Sequence, residues 1–155
     1  MVLMNLSEER AAFLAEDFSR GFIAACGFLA EAVEWGLFRS RLAVTPKHRQ
    51  QDGFVHAGVM ATMADHTAGY AAFTVVPESH QILTIEFKIN FLRPAGGEEL
   101  RCRSRVLRPG QQILVAESEV FDRTAGSEKL SAKAQVTLMA VHREKLRIRV
   151  SADNT

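Results

Sequence analysis

Apolar and polar residues alternate most clearly between Thr84 and Phe91. One set consists of Ile85, Phe87, Ile89 and Phe91, and the other of Thr84, Glu86, Lys88 and Asn90. Because successive side chains of a β-strand point to opposite faces, this alternation predicts a half-buried strand that ends before Arg93-Pro94.

Five more strands are predicted from shorter patterns of the same kind. They cover Leu29–Trp35, Leu37–Val44, Leu100–Leu107, Ile113–Phe121 and Leu130–Val141. Turns are predicted at residues 108–110 and 124–126, where proline and glycine interrupt the apolar pattern.

Two stretches have helical periodicity instead. Ser7–Ala25 is predicted to be an amphipathic helix with Ser7 as its N-cap; its predicted inward residues are Ala11, Leu14, Phe18 and Phe22. Ala57–Val76 is predicted to be a long, largely apolar helix. Its apolar stripe consists of Val59, Met63, His66, Tyr70 and Phe73, and its many alanines allow close packing.

The order of these elements predicts an α+β fold in which an antiparallel sheet wraps around one long central helix. Residues 1–28 are predicted to form an N-terminal helical segment, residues 29–142 the main domain, and residues 143–155 a tail that is frayed or adds a short strand. An open sheet of six strands has free edges, so two copies of the chain could pair edge to edge.

One full charge interrupts the central helix. Asp65 follows Met63-Ala64 in an apolar run, and burial would make its carboxylate a better proton acceptor near neutral pH if water or substrate reaches it. The alternative is a carboxylate paired with an arginine or a backbone amide.

The start of the same helix is the second candidate feature. No Ser, Thr, Asp or Asn stands immediately before Ala57 to cap the first N–H groups, and Ala57-Gly58 adds little bulk there. Free amides at the positive end of a helix dipole suit a carbonyl oxygen that becomes an oxyanion. Capping by Asp52 or by a water molecule is the alternative.

The spacing of these two features constrains their chemistry. Ala57 and Asp65 are eight residues apart, which corresponds to ~12 Å along a helix axis. One reacting carbonyl cannot contact both. Either the two positions serve different sites, or two antiparallel copies of the helix meet and share sites across a twofold axis.

Composition excludes several other functions. The net charge is +1 and the basic residues are dispersed, so nucleic acid is not an expected partner. Cys26 and Cys102 are isolated, which indicates neither a disulfide framework nor a zinc site and fits a reducing cytoplasm. The apolar run at residues 21–30 is too short to span a membrane. His48, His56, Asp65 and His66 lack a recognised metal-binding spacing, and no metal or cofactor is expected.

The block from His56-Ala57-Gly58 to Ala64-Asp65, together with the strand at residues 85–91 and Arg93-Pro94-Ala95, resembles the hotdog-fold acyl-CoA thioesterases of the phenylacetate-degradation (PaaI-like) type. The match covers roughly residues 30–141. The resemblance implies a homodimer with sites between subunits, or a tetramer made of two such dimers, and an acyl-CoA substrate whose coenzyme A is not a separate cofactor.

The resemblance also implies roles for particular residues. Asp65 is expected to be the general base or nucleophile. The Ala57 amide is expected to be the oxyanion donor, although the family has glycine there, with Gly58 as the alternative. Gln50 would hold the carbonyl or water, with Gln51 as the choice if the loop shifts by one residue, and Thr84 would orient the attacking water.

Other residues have less specific expectations. His56 is expected to close the turn before the helix or, alternatively, to act in catalysis, whereas His66 should point about 100° away from Asp65. Arg93, Arg108 and Lys88 are candidates to bind coenzyme A phosphates, with solvated surface charge as the alternative. Met60, Met63, Tyr70 and Phe73 are expected to be core residues, with one or two of them possible linings of an acyl tunnel.

Two other functions are consistent with the same residues. One is a hotdog dehydratase or hydratase, which would need a histidine and a carboxylate facing one substrate. The other is a sensor that binds acyl-CoA without turnover, which the alanine at position 57 would suit.

Overall fold

The computed structural model describes residues 6–146. This range contains three α-helices: α1 (Glu8–Phe18), α2 (Phe22–Cys26) and α3 (Ala57–Phe73). Two short 3₁₀ helices cover Pro46–His48 and Arg143–Leu146. The first four residues of the predicted tail therefore form a turn of helix, and the rest of that tail lies outside the described residues.

The N-terminal helix is shorter than the sequence pattern predicts. Ser7 caps α1 as expected, because its hydroxyl accepts a hydrogen bond from Arg10 N–H. However, Gly21 has a φ of +57°, so the predicted single helix is interrupted and α2 begins afterwards. Leu14 and Phe18 are buried as predicted, whereas Phe22 is 69% exposed and not part of the core.

Six strands form one antiparallel sheet, as predicted. They are β1 (Leu29–Glu34), β2 (Leu37–Ala43), β3 (His80–Phe91), β4 (Glu99–Arg108), β5 (Ile113–Thr124) and β6 (Ser127–His142). Their order in the sheet is β1-β2-β4-β5-β6-β3. The predicted strands are all present, and β3, β5 and β6 extend by several residues beyond the predicted limits.

The helix α3 packs across the inner face of the sheet, where it contacts β2, β4, β5, β6 and β3. Its alanines Ala64, Ala68, Ala71 and Ala72 are buried, so the helix approaches the strands closely. Met60, Met63 and Tyr70 are also buried. The central helix wrapped by an antiparallel sheet confirms the predicted α+β architecture, although α3 ends at Phe73 rather than at Val76.

A β-bulge in β3 corrects the predicted alternation. Thr84 pairs with Leu138 and Glu86 with Thr137, so Ile85 is an extra residue between two paired positions. Thr84 therefore lies on the inner face with Phe87, whereas strict alternation places it on the opposite face. The bulge thus directs Thr84 towards α3.

The two edges of the sheet differ. The strand β1 packs against α1, so a helix covers part of that edge. The strand β3 forms the other edge, and several large apolar side chains on it are exposed: Leu83, Ile85, Phe87 and Phe91. Exposed apolar edge strands favour pairing with another chain.

Candidate active site

The carboxylate of Asp65 lies where α3 faces β3. Thr84 donates its hydroxyl hydrogen to Asp65 Oδ1 over 2.8 Å. Asp65 is half-buried and makes no ion pair with an arginine among the described residues. The structure thus brings together two of the residues predicted for the site.

A cavity of about 620 Å³ opens in front of this carboxylate. It is lined by Arg20, Phe22 and Ile23 from the N-terminal segment, by Gly58, Ala61, Thr62, Asp65 and His66 from α3, and by Phe87 from β3. The sequence pattern did not predict that Arg20, Phe22 and Ile23 would lie beside Asp65. Their separation of about forty residues from it along the chain leaves no local signal.

At the start of α3, the side chain of His56 provides the cap. His56 Nδ1 accepts a hydrogen bond of 2.9 Å from Gly58 N–H. The prediction that the first amides lack a protein cap is therefore wrong in part, because histidine serves in place of Ser, Thr, Asp or Asn. It also restricts the choice of oxyanion donor, since the Gly58 N–H is already occupied.

The N–H of Ala57 remains available. As the first helical residue it has no intrahelical acceptor, and among residues 6–146 no other acceptor bonds to it. Ala57 lines a second cavity, of about 550 Å³, whose lining also includes Gln50, Gln51, His56, Met60 and Arg93. An exposed N–H at a helix start can bind an anionic oxygen.

Gln50 belongs to the loop that precedes α3. Its side-chain oxygen accepts a hydrogen bond from Asp52 N–H, which holds the amide beside the cavity at Ala57. The neighbouring Arg49 clamps this loop, because its guanidinium donates to the carbonyl oxygens of Gly53 and Gly97, each over 2.8 Å. Sequence reasoning missed this role of Arg49.

Gly97, which accepts one of these hydrogen bonds, lies very close to the end of β5. A Cβ atom at this position would lie 2.3 Å from Arg123 O and 2.4 Å from Asp122 Oδ1. Only glycine fits, and its N–H donates to the same Asp122 oxygen over 2.9 Å. The loop that carries Gln50 is thereby tied to the end of β5.

The two cavities of one chain share no lining residue. Gln50, His56 and Ala57 line one cavity, and Asp65 lines the other. This separation agrees with the ~12 Å that helix geometry gives between positions 57 and 65. A single copy of the chain therefore does not bring its free helix amide and its carboxylate to one reacting centre.

His66 lies beside Asp65 but is bonded elsewhere. Its Nε2 donates to Phe18 O over 3.0 Å, and its ring packs against Phe18 and Tyr70. Burial lowers the pKa of His66, which favours the neutral ring at pH 7. Tyr70 donates to Asp17 Oδ2 over 2.7 Å, and burial followed by this bond raises the Tyr70 pKa well above its usual range.

His48 and Cys102, two further candidates for metal or thiol chemistry, are buried in the core. His48 accepts a hydrogen bond from Thr45 N–H at Nδ1, so its Nε2 is the nitrogen that donates to Cys26 O over 2.7 Å. Burial raises the pKa of the Cys102 thiol to about 11. Within residues 6–146, no three His, Cys, Asp or Glu side chains are arranged to hold a metal ion.

The three basic residues proposed for phosphate binding lie apart. Arg93 lines the cavity at Ala57 and donates to Leu130 O. Lys88 lines a separate groove with Glu117 and Lys133 on the outer face of the sheet, and Arg108 lies at the β4–β5 turn. Only Arg93 therefore lies at a cavity that contains other predicted site residues.

Comparison with known proteins defines the class. The sequence profile described as "Thioesterase superfamily" matches residues 52–129. A crystal structure of a thioesterase family protein from Silicibacter pomeroyi is 34% identical, covers 84% of this chain and 98% of its own, and superposes with a TM-score of 0.81. The chain therefore belongs to the thioesterase superfamily and has the hotdog fold.

Two curated relatives support a hydrolase. A protein of Halobacterium salinarum named as a candidate esterase is 30% identical over 153 residues, which cover 94% of this chain and 97% of the relative. A 1,4-dihydroxy-2-naphthoyl-CoA hydrolase of Listeria monocytogenes is 25% identical over 125 residues, which cover 81% of this chain and 99% of the relative. These relatives indicate thioester hydrolysis as the class of reaction.

The helices within residues 6–146 are too short or too polar to span a membrane.

Proposed function

We propose that this protein hydrolyses acyl-CoA thioesters to a free acid and coenzyme A, at two sites that form between two copies of the chain. In each site, one copy contributes Asp65 and Thr84 and the other contributes the Ala57 N–H and Gln50. No metal or redox cofactor takes part, and the coenzyme A portion enters as part of the substrate.

The separation of Ala57 and Asp65 along α3 is the observation that carries this proposal. The free helix amide and the carboxylate line different cavities of one chain. A thioester carbonyl needs a donor at its oxygen and a base beside its carbon, both within about 3.5 Å. Two antiparallel α3 helices related by a twofold axis satisfy both requirements twice.

The exposed edge strand supports this arrangement. Leu83, Ile85, Phe87 and Phe91 of β3 are each at least 38% exposed. Pairing of β3 with β3 of a second copy would cover this edge, extend the sheet and place each Asp65 near the partner's α3. A tetramer built from two such dimers remains a prediction from the sequence.

The reaction can proceed by two routes. In the first, the Asp65 carboxylate removes a proton from water while the water oxygen bonds to the thioester carbon; the carbonyl oxygen becomes an oxyanion held by Ala57 N–H. The C–S bond then breaks, and the coenzyme A thiolate takes up the proton. In the second, the carboxylate itself attacks and forms an anhydride with release of the thiolate, and water then hydrolyses the anhydride.

The relative from Listeria monocytogenes bears on the substrate class. Its name describes a CoA thioester as substrate, which supports acyl-CoA here as well. Arg93 is the basic residue best placed to meet a phosphate of that substrate, because it lines the cavity at Ala57. A cytoplasmic location would give access to such substrates and stays an expectation.

A panel of acyl-CoA substrates with purified protein, read by release of the free thiol, tests the activity. Release that disappears in Asp65→Asn is the expected result. Binding of acyl-CoA without thiol release in the wild type would instead support the sensor, and hydration of an unsaturated acyl-CoA would support the hydratase.

Subunit mixing tests whether the site is shared. Ala57 is the first helical residue and His56 has an extended conformation (ψ 136°), so Ala57→Pro removes one N–H without breaking α3. Mixing inactive Asp65→Asn with inactive Ala57→Pro would give heterodimers with one intact site each, or about a quarter of wild-type activity at random pairing. Recovery of no activity in verified heterodimers would contradict a shared site.

A further inference from the structure

Buried hydroxyl groups fill the space between α3 and the centre of the sheet. Ser40 on β2, Ser104 on β4, Ser118 on β5 and Thr67 on α3 are all at most 1% exposed. Residues of this kind weaken a core unless each polar atom finds a partner. Alanine or valine would fill similar space at these positions without a polar atom that needs a partner.

The directions of these hydrogen bonds are fixed by chemistry. Ser118 donates to Ala64 O over 2.7 Å, and a carbonyl oxygen can only accept. Ser118 has no second proton, so Ser104 is the donor in the 2.6 Å contact between the two hydroxyls. Cys102 lies 3.7 Å from Ser104 and can add its weak S–H donor behind it.

A second series of hydroxyl hydrogen bonds ends at the carbonyl of Met63, one residue before Ala64. Thr67 donates to Met63 O over 2.6 Å, and Ser40 then donates to Thr67 over 2.8 Å. The carbonyls of Met63 and Ala64, which already accept helical N–H bonds from residues 67 and 68, thus each receive a second donor. These two residues immediately precede Asp65.

Among residues 6–146, Ser118 alone links the sheet directly to the helix backbone at this turn. The Thr67 bond stays within α3, and Ser40 reaches α3 only through the Thr67 side chain. The side chain of Asp65 is held separately, because Thr84 on β3 donates a hydrogen bond to its carboxylate. The Asp65 turn is therefore fixed from two strands, through its backbone by β5 and through its side chain by β3.

We propose that Ser118 is a positioning residue for Asp65: its hydroxyl sets the height and rotation of this α3 turn on the sheet so that the carboxylate meets Thr84 and faces the cavity. This inference rests on the proposed role of Asp65 in hydrolysis. Ser118 itself is buried at 0% exposure and does not contact the substrate.

The test compares Ser118→Ala with Ser104→Ala. Both variants remove one buried serine hydroxyl from neighbouring strands, but only the first removes the donor to the helix. We expect kcat to fall by about fivefold to tenfold in Ser118→Ala with KM unchanged, because small misplacements of a reacting group are costly. In Ser104→Ala, kcat should stay within about twofold although thermal stability falls similarly.

A double-mutant cycle separates positioning from general destabilisation. If Ser118 acts by aligning Asp65 on Thr84, then Ser118→Ala should change kcat little in a Thr84→Val background. Ser118→Cys keeps a poorer donor at the same position and should give an intermediate kcat. Equal kcat values in Ser118→Ala and Ser104→Ala would overturn the proposal.

Crystal structures of the two variants give a result that does not depend on activity. The distance between Thr84 Oγ1 and Asp65 Oδ1 should exceed 3.5 Å in Ser118→Ala and stay near 2.8 Å in Ser104→Ala. An unchanged distance in Ser118→Ala would refute positioning. If the distance lengthens but the wild type releases no thiol from any acyl-CoA, the proposed function fails and the structural role of Ser118 stands.

Discussion

The first turn of α3 and the turn that carries Asp65 belong to one helix but are built differently. At the first turn the backbone is exposed, the residues are small, and a neighbouring side chain, His56, holds one amide while leaving another free. At the Asp65 turn the backbone is buried against the sheet, and buried hydroxyls hold it in place. The first turn offers a backbone N–H to the proposed site, and the Asp65 turn offers a side-chain carboxylate. The two turns therefore depend on different parts of the sequence.

The largest loss of activity should come from replacing the Asp65 side chain. Replacing Asp65 by asparagine keeps the volume but removes the base, and thiol release should fall by about 10²–10⁴-fold. Steady-state kinetics on the best acyl-CoA of the panel measures this loss. Asp52→Asn, which changes an exposed carboxylate just before α3, is the matched control and should remain active; near-normal turnover of Asp65→Asn would end the assignment.

At the first turn, Ala57→Pro should cost about 10²–10³-fold in kcat, the usual effect of removing one oxyanion donor. Ala57→Gly keeps the N–H and removes only the methyl group, so it should retain activity. If Ala57→Pro retained full activity with an intact helix by circular dichroism, the donor would have to be another group.

Replacing Thr84 should reduce activity less than either of these two changes. Thr84→Val preserves shape but removes the hydroxyl that donates to Asp65 Oδ1, and kcat should fall about tenfold, the equivalent of one hydrogen bond to a charged group. Thr84→Ser retains the donor and should stay close to wild type. Equal activity of the valine and serine variants would show that the hydroxyl has no part in turnover.

A smaller effect is expected on stability at the first turn. His56→Ala removes the cap on Gly58 N–H and should lower the free energy of unfolding by about 0.5–2 kcal/mol. Urea unfolding measures the difference. Asparagine is a good capping residue, so His56→Asn should recover most of the loss, and a loss of the same size in both variants would point to another role for the ring.

The smallest expected effect is a pH dependence of the free energy of unfolding, to which His66 beside Asp65 contributes. Burial lowers the pKa of His66, so below about pH 6.5 the unfolded chain takes up a proton that the folded chain resists. Stability contributed by the neutral ring is therefore complete above that pH and declines as pH falls towards the lowered value. Asp65 and Asp17 oppose this shift by favouring the charged ring.

Urea unfolding of wild type and His66→Gln at several pH values measures this contribution. Glutamine can still donate to Phe18 O but does not titrate. The wild type should lose more stability than the variant between pH 7 and pH 5, and parallel pH profiles would contradict the expectation.

Much of the fold was accessible from the sequence because it depends on local periodicity. The six strands, the central helix and the antiparallel arrangement are confirmed, and so is the thioesterase family. The ~12 Å separation of Ala57 and Asp65 also follows from helix geometry alone, and the two cavities in the structure agree with it. The roles of Asp65, Ala57, Gln50 and Thr84 stay predictions that the variants above can test.

The features that the sequence did not predict depend on contacts between distant segments or on a break in a pattern. Ser118 meets Ala64 only because β5 lies under α3, and nothing around either residue indicates that contact. Likewise, His56 caps a helix although histidine is an uncommon capping residue. Gly21 interrupts an otherwise regular helical pattern through a single positive φ angle.

The bulge at Ile85 has a consequence for insertions and deletions. The side chain of Ile85 is 50% exposed, so its identity can vary with little effect on packing. Removing the residue would close the bulge and leave regular alternation, with Thr84 opposite Leu138, Phe87 opposite Val136 and both still on the inner face. A deletion in the regular part of β3 would instead turn side chains to the other face, so residue number is constrained more tightly there than at the bulge.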